Sequence, residues 1–400
     1  MSKQLWRHIE ESEVSASYGL ASDEYLMHSH VSNHKPFSAT LKLYTYRNYC
    51  ALCGRFQDIQ AEIDLDACKV NHFDIGRRLT GGGAIIMGDN QLGICLTADS
   101  NTFKWNHIRE LYQQFSEPII KALEDYNIKA NFRSKNDLEV NGKKIAGLGI
   151  HVSPEGGIQF HSSVLLDLDI PQMLKVLKIP VQKFADKKMI YSIAQRMTTV
   201  RREANEMIRM NQLKHSIREA YKKLFEVSLT IEPFSSDEQD KIKRVEQDRY
   251  GTDEWLFQHS PQQDMDGMSL KKTSAGLLRT YIGLKGETIK SVLITGDFMD
   301  MPKAFSQIES QLRWSPLNMD KIAEIVHAAF GNYAASTTEV NIKPQEVTEA
   351  IWLAAQRAFA AQKYTYKGSC YYPKEDLRFS SADFSVADNP KSALENLKSV

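Results

Sequence analysis

The 400-residue sequence lacks a surplus of charge of either sign: Lys+Arg and Asp+Glu both number 50. It therefore sets up no overall field that would draw it to nucleic acid or to an acidic membrane surface. No stretch approaches the roughly 18 uninterrupted apolar residues that a spanning helix needs. The first residues, Met1-Ser2-Lys3-Gln4-Leu5-Trp6-Arg7-His8, lack the apolar centre of a signal peptide. Cysteine is scarce. The five present are an odd, scattered set, which fits a reducing compartment better than a disulfide framework. These absences predict a cytoplasmic protein with neither nucleic acid nor membrane as partner. Cys50-Ala51-Leu52-Cys53 is a close pair, but no second pair or Cys/His cluster stands at ligand spacing to complete a zinc site. The run from Tyr44 to Leu52 reads as a strand, with both thiols as buried small hydrophobes.

What is present is ordinary for a globular enzyme: 42% hydrophobic and 25% charged residues. The length supports a catalytic domain with a sizeable core and a second, smaller unit. The spacing predicts a helix over 15–30, with Leu20, Leu26 and Met27 on one side and Asp23-Glu24 on another. Residues 41–57 alternate as a strand. Trp105, Ile108, Leu111, Tyr112, Phe115, Ile119 and Leu123 recur at helical spacing. Asn141-Gly142 between alternating residues is a strong signal for a two-residue type I′ turn, with Lys143 to Gly147 as the returning strand. A strand over 160–170 and helices near 202–226 and 236–247 follow. A second unit begins after 258–264, opening with strands near 275–284 and 288–295, then helices at 303–312, 318–330 and 344–363. The polar stretch 364–400 reads as a loosely ordered extension. The pattern is α+β, with mostly antiparallel, hairpin-linked strands flanked by helices.

Three segments suggest chemistry. Arg77-Arg78-Leu79-Thr80-Gly81-Gly82-Gly83 sets two guanidinium groups beside three consecutive glycines. Glycines pack poorly in a strand, and make sense where backbone passes close to a ligand and aims N–H groups at anionic oxygens. Arginine forks match phosphate or carboxylate. A bulge with solvated arginines is the bland alternative. The Walker spacing is absent, since no Gly-Lys-Ser/Thr follows. Lys143-Lys144 lies beyond the Asn-Gly turn. If Ile145 packs inward, Lys143 shares its side and Lys144 takes the opposite face, where Ala146, Gly147 and Gly149 leave room for a ligand. Lysine there suits a phosphate and an attacking carboxylate together; a solvated hairpin tip is the alternative. Asn136-Asp137 offers a carboxylate for Mg²⁺, or simply turn chemistry. His161-Ser162-Ser163 is a weaker signal, since a lone histidine at a strand start is more often structural.

Together these segments resemble the lipoate–protein ligase family, within the group that holds biotin ligases and octanoyl transferases. Arg77 to Gly83 is similar to the family's Arg-Arg, a residue, Ser/Thr, three glycines. Asn136-Asp137-Leu138 through Gly142-Lys143-Lys144-Ile145-Ala146-Gly147 resembles its Asn-Asp strand and Gly-x-Lys turn. His161-Ser162-Ser163-Val164-Leu165-Leu166 is similar to its His-Gly-Thr-Leu-Leu strand. Ser192 through Arg196-Met197-Thr198 and Asp253-Glu254-Trp255 match two further segments. The order holds over roughly residues 15–260, and the part after 265 resembles the family's small accessory domain.

The resemblance implies a class II biotin/lipoyl synthetase-like fold, with a catalytic domain over 1–260, a small α/β accessory domain over 265–363 and a tail, 364–400, of unassigned role. It implies that ATP and lipoate give lipoyl-AMP and pyrophosphate, and that a lysine of a lipoyl carrier protein then takes the lipoyl group. The carrier would be a 2-oxoacid dehydrogenase acyltransferase subunit, the glycine-cleavage carrier or a related lipoyl-binding protein. Lys144 would be catalytic. Gly81, Gly82, Gly83, Thr80, Gly147, His161 and Ser162 would touch the lipoyl-adenylate, and Arg55, Arg77 and Arg78 would be further ligands. Asn136 and Asp137 would meet the nucleotide phosphates, with Mg²⁺ on Asp137. Met87-Gly88 stands where the family often has a histidine, and Ser162 where glycine is usual, which suggests a divergent branch. The nearest rival is an octanoyl transferase of the same fold, which needs a cysteine nucleophile. Leu96 to Ser369 holds none, which leaves Cys68 and Cys95, both outside the expected places. A biotin ligase would carry Gly-Arg-Gly-Arg, which is missing. A non-catalytic lipoate-binding protein would have no use for Lys144 and Asp137.

Overall fold

The computed structural model describes residues 3–31, 36–133, 136–178, 195–300, 303–333 and 342–365. Contacts divide the chain into Met1–Phe359 and Ala360–Val400. Of the latter, the described residues are the last turns of the helix Pro344–Thr365. Ser192, and the expected loose tail beyond residue 365, lie outside the described residues.

Eight strands build the main sheet: β1 (Leu5–Val14), β2 (Ala39–Tyr46), β6 (Gln91–Asp99), β7 (Asn131–Arg133), β8 (Asp137–Val140), β9 (Lys143–Val152), β10 (Gly157–Leu165) and β11 (Ser228–Ile231). Their order is β11-β1-β2-β6-β10-β9-β8-β7. Only β1 pairs in parallel, with β2 and β11. A small sheet, β4-β3-β5, joins β3 (Cys50–Cys53), β4 (Asp74–Arg77) and β5 (Ile85–Met87). The α+β expectation holds.

The main sheet is buried on both faces because its central strands carry two apolar sets in alternation. On β2, Ala39, Leu41 and Leu43 face the helices Ile108–Glu124 and Met210–Leu224. Tyr44 and Tyr46 face helix α1 (Ala16–Ser29) on the other side. Each large side chain so buried contributes about 1.5–3 kcal/mol. Ser15 caps α1 by accepting the N–H of Tyr18. The helix expected over 105–126 begins only at Ile108.

The single strand expected over 41–57 is two. Residues 47–49 leave the main sheet after Tyr46, and β3 starts in the small sheet at Cys50. Helix 202–226 is likewise split: Val200–Ala204 ends at Asn205, held at φ 54°, before Met210–Leu224.

A second four-stranded sheet follows: β12 (Gly267–Lys272), β13 (Leu277–Lys285), β14 (Thr288–Gly296) and β15 (Ser315–Pro316), antiparallel throughout. It opens one strand earlier than expected, with β12. Helices Lys303–Leu312, Met319–Tyr333 and Pro344–Thr365 follow, and this part has its own core around Phe298, Phe305 and Ile351. Polar links join it to the short helix Ile59–Glu62 and its cap: Arg279 to Glu62 at 2.8 Å and the Tyr281 hydroxyl to Asp58 at 2.6 Å.

Candidate active site

The β8–β9 turn forms as the Asn-Gly pair dictates, with Asn141 at φ 50° and Gly142 at φ 76°. The strands then slip. Glu139 pairs with Lys144 but Leu138 with Ala146, so Ile145 is one residue too many. This bulge reverses the phase of the pleat. Lys144 shares a face with Gly147, Gly149 and His151, whereas Ala146 turns into the core with Leu148 and Ile150. The expectation that Ala146 lines the ligand side is corrected by that extra residue.

Lys144 Nζ lies 2.7 Å from Asp137 Oδ1, both side chains 29% exposed. Asp137 Oδ1 receives no well-directed hydrogen bond among the described residues, so the contact is an ion pair. A Cβ on Gly147 would stand 3.1 Å from Nζ, so glycine gives the ammonium its room. Asn136 is pinned beside it through Leu148: its carbonyl accepts the Leu148 N–H at 2.8 Å. On the far edge, the Thr198 N–H donates to the Lys144 carbonyl at 2.9 Å. That ties in the Arg196-Met197-Thr198 segment.

The loop between β4 and β5 carries the glycines. Gly82 adopts φ +92°, a conformation that glycine reaches without strain. Gly81 to Gly83, Asn136, Lys144, His161 and Ser162 line one cavity of about 140 Å³, whose other wall includes Leu20, Tyr44, Tyr46 and Met87. Gly147 and Arg78 also reach it. Ser162 is buried with its hydroxyl lacking a partner among the described residues. Met87 puts an apolar side chain where the family's histidine is usual.

The two arginines part company. Arg78 donates to the carbonyls of Leu52 (2.6 Å), Gly81 (3.2 Å) and Gly83 (2.9 Å). Burial pulls its guanidinium down to about 10; it stays charged and braces the glycine loop. Arg77 is fully buried and spends its donors on carbonyls of Gly54, Arg55, Gln57 and Leu256. It does not line the cavity, so its place is structural. Trp255 Nε1 donates to the Arg77 carbonyl at 2.9 Å, which explains the Glu-Trp segment.

Thr80 also stands behind the wall, its Oγ1 3.1 Å from His161 Nε2. Burial, and secondarily the charge of Arg78, push the His161 imidazole down to about 3, so it is neutral. Arg55 lies to one side, 3.4 Å from His151 Nδ1, outside the cavity lining.

Tyr44 and Tyr46 were not read as site residues in the sequence. The signal available was the strand alternation Lys42-Tyr44-Tyr46, three polar-tipped residues on one face.

The family model for the lipoyl protein ligase A/B catalytic domain matches residues 15–222. The chain is 22% identical to lipoate–protein ligase 1 of Staphylococcus aureus, over 70% of this chain and 80% of that one. It is 24% identical to the octanoyltransferase LipM of Bacillus subtilis, over 64% of this chain and 99% of that one. A Thermoplasma acidophilum bipartite lipoate protein ligase, solved in a study of that ligase and its E2 lipoyl domain, aligns with TM-score 0.57 and 22% identity, covering 66% of this chain and 99% of its own. A P. falciparum protein solved in complex with lipoate aligns with TM-score 0.65 and 16% identity, covering 89% and 99%. At such identities the structures establish the shared fold.

Proposed function

The chain belongs to the lipoyl protein ligase A/B catalytic-domain family, and from that premise we propose that it is an ATP-dependent lipoate–protein ligase. A carboxylate oxygen of lipoate forms a bond to the α-phosphorus of ATP as the bond to pyrophosphate breaks. The amine of a carrier lysine then bonds to the acyl carbon, and AMP leaves.

One observation carries the reading: the Lys144 ammonium opens into the same cavity as the bare backbone of Gly81 to Gly83. There it would hold carboxylate and α-phosphate together as negative charge gathers between them. Leu20, Tyr44, Tyr46 and Met87 would take the acyl chain. Asp137 is the carboxylate paired with Lys144, and no cluster of three or more His, Cys, Asp or Glu that could hold a metal occurs among the described residues. That donor set suits Mg²⁺, which takes one or two carboxylates plus substrate phosphates. Held on Asp137, the ion would neutralise phosphate charge. We place the catalytic domain at 1–260 and the accessory domain at 265–363. The acceptor is a lipoyl carrier protein, and the compartment is the cytoplasm; no helix among the described residues is long and apolar enough to cross a membrane.

The second reading, octanoyl transfer without ATP, is favoured by similarity to the octanoyltransferases named LipM. It needs an accessible thiolate. The described cysteines, Cys50, Cys53, Cys68 and Cys95, are all buried. Burial pushes the Cys53 thiol up to about 12 and Cys68 to about 11, with Cys50 and Cys95 also well above the ordinary range. Incubating an apo carrier either with lipoate and ATP or with octanoyl carrier protein alone separates the two by mass spectrometry. Modification in the second mixture and not the first would sink the ligase reading.

A further inference from the structure

The loop that follows β14, Gly296 to Asp300, touches the site at the place where a nucleotide's phosphate would sit under the ligase reading, on which this inference rests. The Gly82 N–H donates to the Phe298 carbonyl at 2.7 Å. Gly81 lies directly beneath the same backbone: a Cβ there would stand 2.2 Å from the Phe298 oxygen and 2.4 Å from that of Met299. A Cβ on Gly82 would find Met299 Sδ at 3.5 Å, with Arg78 Nη2 and Asn136 Nδ2 both at 3.8 Å. Met299 thus covers the corner where Asn136, Arg78 and the glycine loop meet. Its neighbour Phe298 is anchored in the core of the second sheet, whereas Met299 packs against the core of the main sheet. One step further on, the exposed Asp300 draws on the charge of Arg55.

An amide N–H makes one good hydrogen bond at a time. While Phe298 holds it, the Gly82 amide is closed to a phosphate oxygen. We propose that the Gly296–Asp300 loop is an internal competitor for the phosphate seat, and that ATP binds only when this loop withdraws. The carbonyl of Phe298 stands in for a phosphate oxygen, and the Met299 side chain excludes the rest of the ligand. The acyl wall of the cavity, formed by Leu20, Tyr44 and Tyr46, is untouched by the loop. The device therefore separates the two substrates: the acid can enter with the loop seated, and the nucleotide cannot. If the loop is seated nine-tenths of the time, ATP binds about tenfold more weakly than to the free site.

A disulfide tests this in the full chain. A Cβ on Gly83 would lie 4.0 Å from Asp297 Cβ, inside the roughly 3.5–4.5 Å that a disulfide spans. In the Gly83→Cys, Asp297→Cys double variant, oxidation should weaken ATP binding by calorimetry about tenfold or more. Reduction should restore it, and octanoate binding should stay the same in both forms. Equal ATP affinity in the two forms overturns the proposal, as does failure of the pair to oxidise. Binding of octanoate but not ATP by both forms and by the native chain overturns the ligase reading, and the competitor with it. Independently, Met299→Ala should tighten ATP binding several-fold, and unchanged or weaker binding tells against the plug.

Discussion

Two of the molecule's lysine–aspartate pairs, both involving strands of the main sheet, differ in almost everything except chemistry. Lys42 Nζ is 3.0 Å from Asp23 Oδ1, with neither side chain exposed. The ammonium also donates to Ser22 and to the Gly19 carbonyl, and lies 4.1 Å from the centre of the Tyr44 ring. Tyr44 donates its hydroxyl to the other oxygen of Asp23 at 3.0 Å. Every donor on Lys42 is committed. Lys144, in contrast, has Asp137 alone among the described residues, near the start of β9, with its side chain 29% exposed. The sealed pair holds α1 against β2, while Lys144 of the open pair lines the cavity. A lysine and an aspartate in contact say nothing about role until the remaining N–H groups are accounted for.

The comparison can be broken in several ways. Lys42→Met strands the Asp23 carboxylate in a dry site and should cost about 3–5 kcal/mol of stability in urea unfolding. The double variant with Asp23→Leu should recover much of it, and a single-variant loss below about 1 kcal/mol would show that water reaches the pair. Lys144→Ala should lower lipoyl-AMP formation about a hundred- to a thousand-fold, or about 2.7–4 kcal/mol of barrier. Its unfolding should shift by less than about 1 kcal/mol, because its pair is solvated. Near-normal pyrophosphate exchange by this variant would remove Lys144 from the reaction.

Acid should sharpen the contrast. Burial holds His161 at about 3 and, with help from nearby positive charge, His151 and His259 at about 4, below their ordinary 6.5. Unfolding lets each bind a proton near 6.5, so the unfolded chain holds more protons between those values. Stability is then fully present above about pH 6.5 and falls as pH drops toward 4, by at most about 1.4 kcal/mol per pH unit for each group. His161→Gln should flatten this slope in urea titrations at pH 5 and 7, and an unchanged slope would mean the ring is wet. Least of all, Lys143→Ala, beside the turn, should stay within about 0.5 kcal/mol of the native protein, with adenylation within about twofold. Equal defects at 143 and 144 would mean that the strand register is other than described.

Local chemistry was the part of the site legible in the sequence. Asn141-Gly142 specified its turn because few residue pairs accept positive φ twice in succession. The helix after Ile108 was written in its 3.6-residue period. Gly81 to Gly83 announced a close approach, but not what approaches: at Gly81 the neighbour is the backbone of Phe298 and Met299, some two hundred residues away in sequence. The bulge at Ile145 has no local signature. Its consequence, that Ala146 faces inward, comes from pairing with β8. Nor could adjacency separate Arg77 from Arg78, since their roles follow from which carbonyls the fold sets around each.

The stacking of bare backbone at the glycine loop has a bearing on inhibition. A Cβ at residue 54 would stand 1.9 Å from the Gly82 oxygen, one at 81 would strike Phe298, and 82 itself needs positive φ. A compound that drew its affinity from these amides would leave the protein few substitutions by which to acquire resistance, because most changes that repelled the drug would first dislocate the loop.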